Sequence, residues 1–253
     1  MELNFKSFGQ GEPVIILHGL FGMLDNWMTI GKRLSEHYAV YLVDLRNHGK
    51  SPHTQEHSYA LMAGDLVDFF DQQWLHQASV IGHSMGGKVA MQFALDNPGV
   101  VNKLVVVDIA PKMYPPHHQD VLDTMLSFDP SAADNRRDML LHLQSHLRDA
   151  RTVHFLMKNL SRSKEGGFRW KMNLDSLVAN YRELNETVTY DDPFEGDALF
   201  IRGAESAYIA DEDMLEILEI FPRAKLSTIE GAGHWVHADK PDALLESITA
   251  FLG

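Results

Sequence analysis

The chain has 253 residues, of which 45% are hydrophobic and 23% charged, so it can bury a sizeable core and suits one large domain, or one domain with an inserted subdomain. Its formal net charge of −13 disfavours a nucleic-acid partner, because an acidic surface repels phosphate backbones. The absence of cysteine rules out disulfides, thiolate metal sites and a cysteine nucleophile.

Short apolar runs and amphipathic stretches alternate along the first 110 residues. The runs are rich in β-branched residues without polar alternation, which is typical of strands buried on both faces of a parallel sheet. They lie at 13–17, 39–43, 78–81 and 104–107. Helical spacing predicts helices at 59–70 and 88–95. This alternation predicts an α/β fold with a mainly parallel central sheet and helices on both faces.

The pattern changes after Pro111. Residues 112–190 show helical periodicities and no convincing strand, so we expect an all-helical insertion that forms a cap, or lid, subdomain. The sheet pattern then resumes with strands at 198–201 and 224–229. Helices are predicted at 211–221 and 242–252, the second entered through Pro241. The predicted core domain therefore consists of 1–111 together with 191–253.

The sequence shows neither the pattern of a signal peptide nor that of a membrane-spanning segment. The first six residues lack a basic segment followed by an apolar one, and no apolar run approaches the roughly 20 residues needed to span a bilayer. We therefore expect a cytoplasmic protein without a membrane span. The sequence leaves the oligomeric state open between monomer and dimer.

Ser84 is the strongest candidate for a chemical role. Gly82-His83-Ser84-Met85-Gly86 matches G-x-S-x-G, and it follows a predicted strand and precedes a predicted helix. At such a sharp corner, side chains at the two glycine positions would clash with the neighbouring strand and helix. The corner exposes the hydroxyl near the N-terminus of the next helix, which stabilises negative charge. Ser84 is therefore predicted to be a nucleophile.

Further motifs identify a family that the chain resembles. His18-Gly19 resembles the oxyanion loop of α/β-hydrolases, the run from Asp44 to Ser51 resembles their D-x-R-x-x-G-x-S turn, and Gly231-Ala232-Gly233-His234 resembles their histidine turn. In combination, HGLFG, DLRNHGKSP, GHSMGGK, VDIAP and GAGHWVHADKP resemble the bacterial YbfF-type esterases. The resemblance covers nearly the whole chain and implies an α/β-hydrolase fold with esterase activity.

His234 is the candidate general base. It lies on a glycine-rich turn after the last predicted strand, where its ring can reach Ser84, take the serine proton and later return it. The chain contains 14 histidines, so most of them must have structural roles.

The sequence offers more than one candidate for the acid partner of the histidine. The resemblance implies an aspartate after the 198–201 strand in a G-x-x-D pattern, but Ser206 stands at that position, in Gly203-Ala204-Glu205-Ser206. Either Glu205 substitutes or the acid has moved. Asp108 ends the strand after the one that leads to Ser84, and some family members place the acid there. We favour Asp108, with Ser206 as an auxiliary hydrogen-bonding group and Glu205 as the alternative acid.

The resemblance also implies two backbone donors for an oxyanion hole. Met85 follows the nucleophile, and Leu20 follows His18-Gly19. The G-x-x-x-x-G-K fragment that ends at Lys88 is not a phosphate loop, because a valine follows where Ser or Thr is required. Histidines and carboxylates lack metal-ligand spacing. We expect no cofactor and no metal.

The sequence therefore predicts a serine hydrolase that cleaves carboxylic esters or acyl thioesters through an acyl-enzyme. Large apolar residues of the insertion favour an apolar acyl pocket under the cap. The resemblance allows acyl-CoA as a substrate, with Arg136-Arg137 or Arg162 and Lys164 as a local basic patch. The alternatives are a C–C hydrolase, a cofactor-free haloperoxidase or a non-catalytic ligand-binding protein.

Overall fold

The computed structural model describes all residues from 1 to 253. Its strands are β1 (Phe5–Phe8), β2 (Pro13–Leu17), β3 (Ala39–Val43), β4 (Ala78–His83), β5 (Val101–Val107), β6 (Leu160–Arg162), β7 (Phe168–Trp170), β8 (Asp197–Gly203) and β9 (Ala224–Ile229). Its α-helices are α1 (Met28–Leu34), α2 (Tyr59–Gln72), α3 (Met85–Asp96), α4 (Gln119–Leu126), α5 (Arg136–His146), α6 (Ala150–Met157), α7 (Leu174–Ala179), α8 (Asp213–Ile220), α9 (Val236–Asp239) and α10 (Pro241–Leu252).

The central sheet has seven strands in the order β1-β3-β2-β4-β5-β8-β9. Every neighbouring pair is parallel except β1 with β3. This confirms the mainly parallel sheet expected from the apolar runs. The sequence analysis missed β1, because an antiparallel edge strand that contains Lys6 and Ser7 has no apolar run to signal it.

Both faces of the sheet are buried. Along β2, Ile15 and Leu17 belong to one hydrophobic cluster, which α2 and α3 also enter, whereas Val14 and Ile16 belong to another, which α1 and α10 enter. Successive side chains of a strand point to opposite faces, so β2 needs apolar residues at every position. The absence of polar alternation in the sequence follows from this arrangement.

Residues 112–190 are not all-helical, so that part of the prediction is wrong. They contain α4 to α7, but β6 and β7 pair there as an antiparallel hairpin. Each strand has only three residues, too few for a periodicity to be visible. Gly166 and Gly167 lie in the connecting turn with φ values of +105° and +62°, a conformation that favours glycine.

The chain leaves and re-enters the core at one place. Pro111 O accepts hydrogen bonds from Val188 N (3.1 Å) and from Thr187 Oγ1 (2.6 Å). The division into 1–111 with 191–253 and 112–190 stays a prediction, which this junction supports. No helix of the protein has both the length and the apolar character that crossing a membrane requires.

Candidate active site

Ser84 lies at the corner between β4 and α3. Its φ of 52° and ψ of −120° place a non-glycine residue in a strained backbone region. Hydrogen bonds hold the corner, since Ser84 N donates to Val107 O (3.0 Å) and Ser84 O accepts from Gly87 N (2.8 Å). The backbone therefore fixes the direction of the hydroxyl.

The two glycines of the motif are required by close backbone contacts. A Cβ at Gly82 would lie 2.1 Å from Gly86 O, and a Cβ at Gly86 would lie 2.5 Å from His18 O. Real Cβ atoms do not approach so closely. The steric reason given for the motif is confirmed at both positions.

Three candidate residues form one hydrogen-bonded chain. Ser84 Oγ lies 3.0 Å from His234 Nε2, and His234 Nδ1 lies 2.7 Å from Asp108 Oδ2. Because an ionised carboxylate only accepts, Nδ1 carries the proton that it donates to Asp108, and Nε2 accepts from the serine. This is the arrangement that lets an imidazole remove a proton from a hydroxyl.

Asp108 directly follows β5 and is fully buried. Its φ of +55° is a left-handed conformation that Asp tolerates better than most residues. Its Oδ1 accepts from Gly203 N (3.0 Å), and its Oδ2 accepts from Ser206 Oγ (2.5 Å). Both donors come from the end of the adjacent strand β8, so the buried carboxylate has three hydrogen-bond donors when His234 is included.

The alternative acid does not reach the histidine. The Glu205 side chain is exposed and makes no hydrogen bond, while its backbone N–H donates to Ala232 O (2.9 Å). Ser206, in contrast, contacts Asp108 as expected. The structure therefore brings Asp108 and Ser206 together with His234 and leaves the Glu205 carboxylate in solvent.

The two expected backbone donors lie beside Ser84. Leu20 lines two cavities that reach Ser84, and a Cβ at Gly19 would lie 3.2 Å from Ser84 Cβ. Neither Leu20 N nor Met85 N donates to any acceptor of the protein. Both N–H groups are therefore free to bind an oxygen of a ligand.

The loop that carries Leu20 is fixed from the far side. His18 Nε2 accepts from Leu45 N (3.0 Å), and Asp44 Oδ1 accepts from Leu24 N (2.7 Å). Burial lowers the pKa of His18, which keeps Nε2 available as an acceptor. These contacts hold the loop, and with it the Leu20 N–H group, in a fixed position.

His83 supports the histidine turn. Its Nε2 donates to the backbone carbonyl of His234 (2.8 Å), and the two rings lie 4.8 Å apart. Burial, together with the nearby His234 and His237, lowers the pKa of His83 well below its usual value. His83 is therefore a neutral donor, a role that the sequence gave no means of predicting.

A cavity of about 280 Å³ opens over Ser84 and His234. Its wall on the insertion side is mixed in polarity and comes from His118, Val121, Asp149, Arg151, Thr152, Phe155 and Leu156. Of the basic residues singled out from the sequence, Arg136 donates to Met157 O and Leu160 O and so has a structural role. Arg151 is the basic residue at the cavity, and its position could not be inferred without the fold.

A family profile described as alpha/beta hydrolase fold matches residues 12–241. The chain belongs to the α/β-hydrolase family. Its sequence is 39% identical over 244 residues to a putative esterase/lipase of Haemophilus influenzae, covering 95% of this chain and 83% of the relative. It is 36% identical over 261 residues to esterase YbfF of Escherichia coli, covering 100% and 99%.

Two further relatives agree with this assignment. An sn-1-specific diacylglycerol lipase of Danio rerio is 37% identical over 256 residues, covering 98% of this chain and 80% of the lipase. A solved structure named marine microorganism esterase superposes with a TM-score of 0.97 at 43% identity, covering 99% of each chain. The protein is a carboxylic ester hydrolase of the esterase/lipase type.

Proposed function

We propose that the protein hydrolyses carboxylic esters through an acyl-enzyme on Ser84. The observation that carries the proposal is the hydrogen-bonded chain from Ser84 Oγ through His234 to Asp108 at the floor of a cavity. A serine at a strained corner, a base within reach and a buried carboxylate behind it are the parts that nucleophilic acyl transfer requires.

In the first half-reaction, Ser84 Oγ attacks the ester carbonyl while His234 Nε2 takes the serine proton. Asp108 compensates the charge of the imidazolium and holds the tautomer. The tetrahedral intermediate collapses as His234 gives its proton to the departing alcohol, leaving an acyl group on Ser84. Water then attacks the acyl-enzyme with His234 again as base, which releases the carboxylic acid and restores the serine.

The free N–H groups of Leu20 and Met85 serve as the oxyanion hole. Negative charge develops on the carbonyl oxygen only during the reaction. Donors that have no other acceptor can therefore stabilise that charge without first breaking a hydrogen bond. Their position beside Ser84 and their lack of partners support this role.

Residues 112–190 act as a cap over the site, and the acyl group lies against their apolar side chains. Val121, Phe155 and Leu156 supply apolar surface there, and Arg151 lies at the same wall. A cavity of about 280 Å³ is at the small end of ligand sites, which favours compact esters. The names of the relatives support oxygen esters, and thioester cleavage, acyl-CoA and a cytoplasmic location stay predictions.

The test is hydrolysis of aryl esters of increasing acyl length by the wild type and by Ser84→Ala. We expect turnover with a burst of aryl alcohol in the wild type, and a loss of about 10⁴-fold or more in Ser84→Ala, because the variant cannot form an acyl-enzyme. Turnover in Ser84→Ala within tenfold of the wild type would refute the proposal.

A further inference from the structure

Tyr208 lies flat against the imidazole of His234. The two ring centroids are 3.9 Å apart, and the ring planes differ by 16°. His83, the other ring beside His234, is 4.8 Å away and tilted by 40°. The stacking partner of the base therefore comes from the loop after β8, the strand end that lacks the expected acid.

His234 needs such support because of where it lies. It follows β9 on a turn that contains Gly231 and Gly233, outside any helix or strand. Its hydrogen bonds to Ser84 and Asp108 both lie along the ring edge, so they resist tipping of the ring only weakly. A flat group stacked on one face restricts tipping and leaves both nitrogens free.

The stack also suits the charge that His234 acquires. When the ring takes the serine proton it becomes a cation, and the electron-rich face of a phenol attracts cations. The other titratable groups around His234 are Asp108, His83, His118 and His237. Burial lowers the pKa of these three neighbouring histidines, so Asp108 is the only one of the four that carries a compensating charge.

Tyr208 is itself held by residues of the insertion. Tyr114 Oη donates to Tyr208 O (2.5 Å), and the Tyr208 hydroxyl is hydrogen-bonded to His117 Nε2. His117 Nδ1 donates to Pro115 O (2.9 Å), so its Nε2 accepts. Burial raises the pKa of Tyr208, which keeps the hydroxyl protonated and able to donate.

We propose that Tyr208 is a positioning residue for His234: its ring holds the imidazole in the plane that joins Ser84 to Asp108. This inference rests on the proposed function of Ser84 and His234.

The kinetic test compares Tyr208→Leu, Tyr208→Phe and His117→Ala on one ester. Tyr208→Leu removes the stack, so kcat should fall by about 10- to 30-fold with KM changed by less than about twofold. Tyr208→Phe keeps the stack and loses only the hydroxyl contact, so it should stay within about threefold of the wild type. His117→Ala also keeps the stack on His234 and should stay within the same range, although it removes the ring contacts of His117 with Tyr208 and His118 as well. Tyr190 is an exposed tyrosine, and Tyr190→Leu is therefore the matched control.

A spectroscopic test separates this inference from the proposed function. The Nδ1 proton of His234, bonded to Asp108, should give a sharp downfield proton resonance, assigned by its absence in His234→Gln. The resonance should broaden in Tyr208→Leu and persist in Tyr208→Phe, whether or not the protein turns over an ester. If Tyr208→Leu does not fold, Tyr208→Met replaces it.

Two results would overturn the positioning role. One is equal damage to kcat in Tyr208→Phe and Tyr208→Leu, which would assign the effect to the hydroxyl. The other is a sharp His234 resonance with unchanged kcat in Tyr208→Leu. If instead the wild type shows the resonance without ester turnover, the proposed function fails and the spectroscopic comparison still decides the role of Tyr208.

Discussion

The ends of β5 and β8 lie side by side and face the same histidine, yet they supply different groups. The β5 end supplies the buried carboxylate of Asp108, and the β8 end supplies two donors to that carboxylate, Gly203 N–H and the Ser206 hydroxyl. Because neighbouring parallel strands end at one edge of a sheet, both ends lie close to the ring. We infer that the site needs one carboxylate with its donors, and that either strand end can supply it.

Moving the carboxylate from one strand end to the other is the strongest way to break this comparison. Asp108→Asn should lower kcat/KM by about 10²- to 10⁴-fold, because the amide favours the wrong tautomer of His234. Adding Ser206→Asp to that variant should recover about tenfold, since the new carboxylate comes from the adjacent strand end. No recovery in the folded double variant would mean that the two ends are not interchangeable.

Much of this comparison could be foreseen from the sequence. G-x-S-x-G after a strand indicated Ser84, and the glycine-rich turn indicated His234. The serine at position 206 left two alternatives, Glu205 as a substitute or an acid elsewhere, and Asp108 was favoured. The strands of the central sheet, being short continuous apolar runs, were predicted within two or three residues, apart from β1.

The rest depends on contacts that no local pattern encodes. The stack of Tyr208 on His234 joins loops after two different strands, and the bond from His83 to the His234 carbonyl spans 151 residues. The hairpin of β6 and β7 is held by pairing between two three-residue strands. Strands this short show no periodicity in the sequence, so they could not be recognised. Arg151 reaches the cavity only because α6 lies over the site.

A substitution at Ser206 measures how much the donors at the β8 end contribute to catalysis. Ser206→Ala removes one of the three donors to the Asp108 carboxylate, so kcat should fall by about 10- to 100-fold, the size expected for one hydrogen bond to a charged group. Glu205→Gln is the control on the same loop and should change kcat by less than about twofold, because its side chain points into solvent. A larger loss in Glu205→Gln than in Ser206→Ala would reverse the assignment.

The strand ends also differ in their buried histidines, which make the stability of the fold depend on pH. Buried histidines lie beside the ends of β2, β3 and β4, whereas the loop after β8 contains none. Burial lowers the pKa values of His48 and His83 well below the usual value for histidine. It lowers the pKa of His57 to about 3. Their unfolded value is about 6.5, so between these limits the unfolded chain binds more protons than the folded one.

Folding should therefore be most stable above about pH 6.5, and the free energy of unfolding should fall as the pH decreases toward about 3. His57→Gln should reduce that slope by about 1 kcal/mol per pH unit, measured by urea unfolding at several pH values. The exposed His76→Gln is the matched control. An unchanged slope in His57→Gln would contradict the buried neutral state.

The most direct measurement is the rate at which a fluorophosphonate modifies Ser84 in the wild type and in Asp108→Asn, followed by intact-protein mass spectrometry with peptide mapping. The account predicts a single modification at Ser84 in the folded wild type, slowed by about 100-fold or more in Asp108→Asn, because phosphonylation needs the same base and acid as ester attack. Modification of Ser84 at equal rates in both proteins, or none in the wild type, would contradict it.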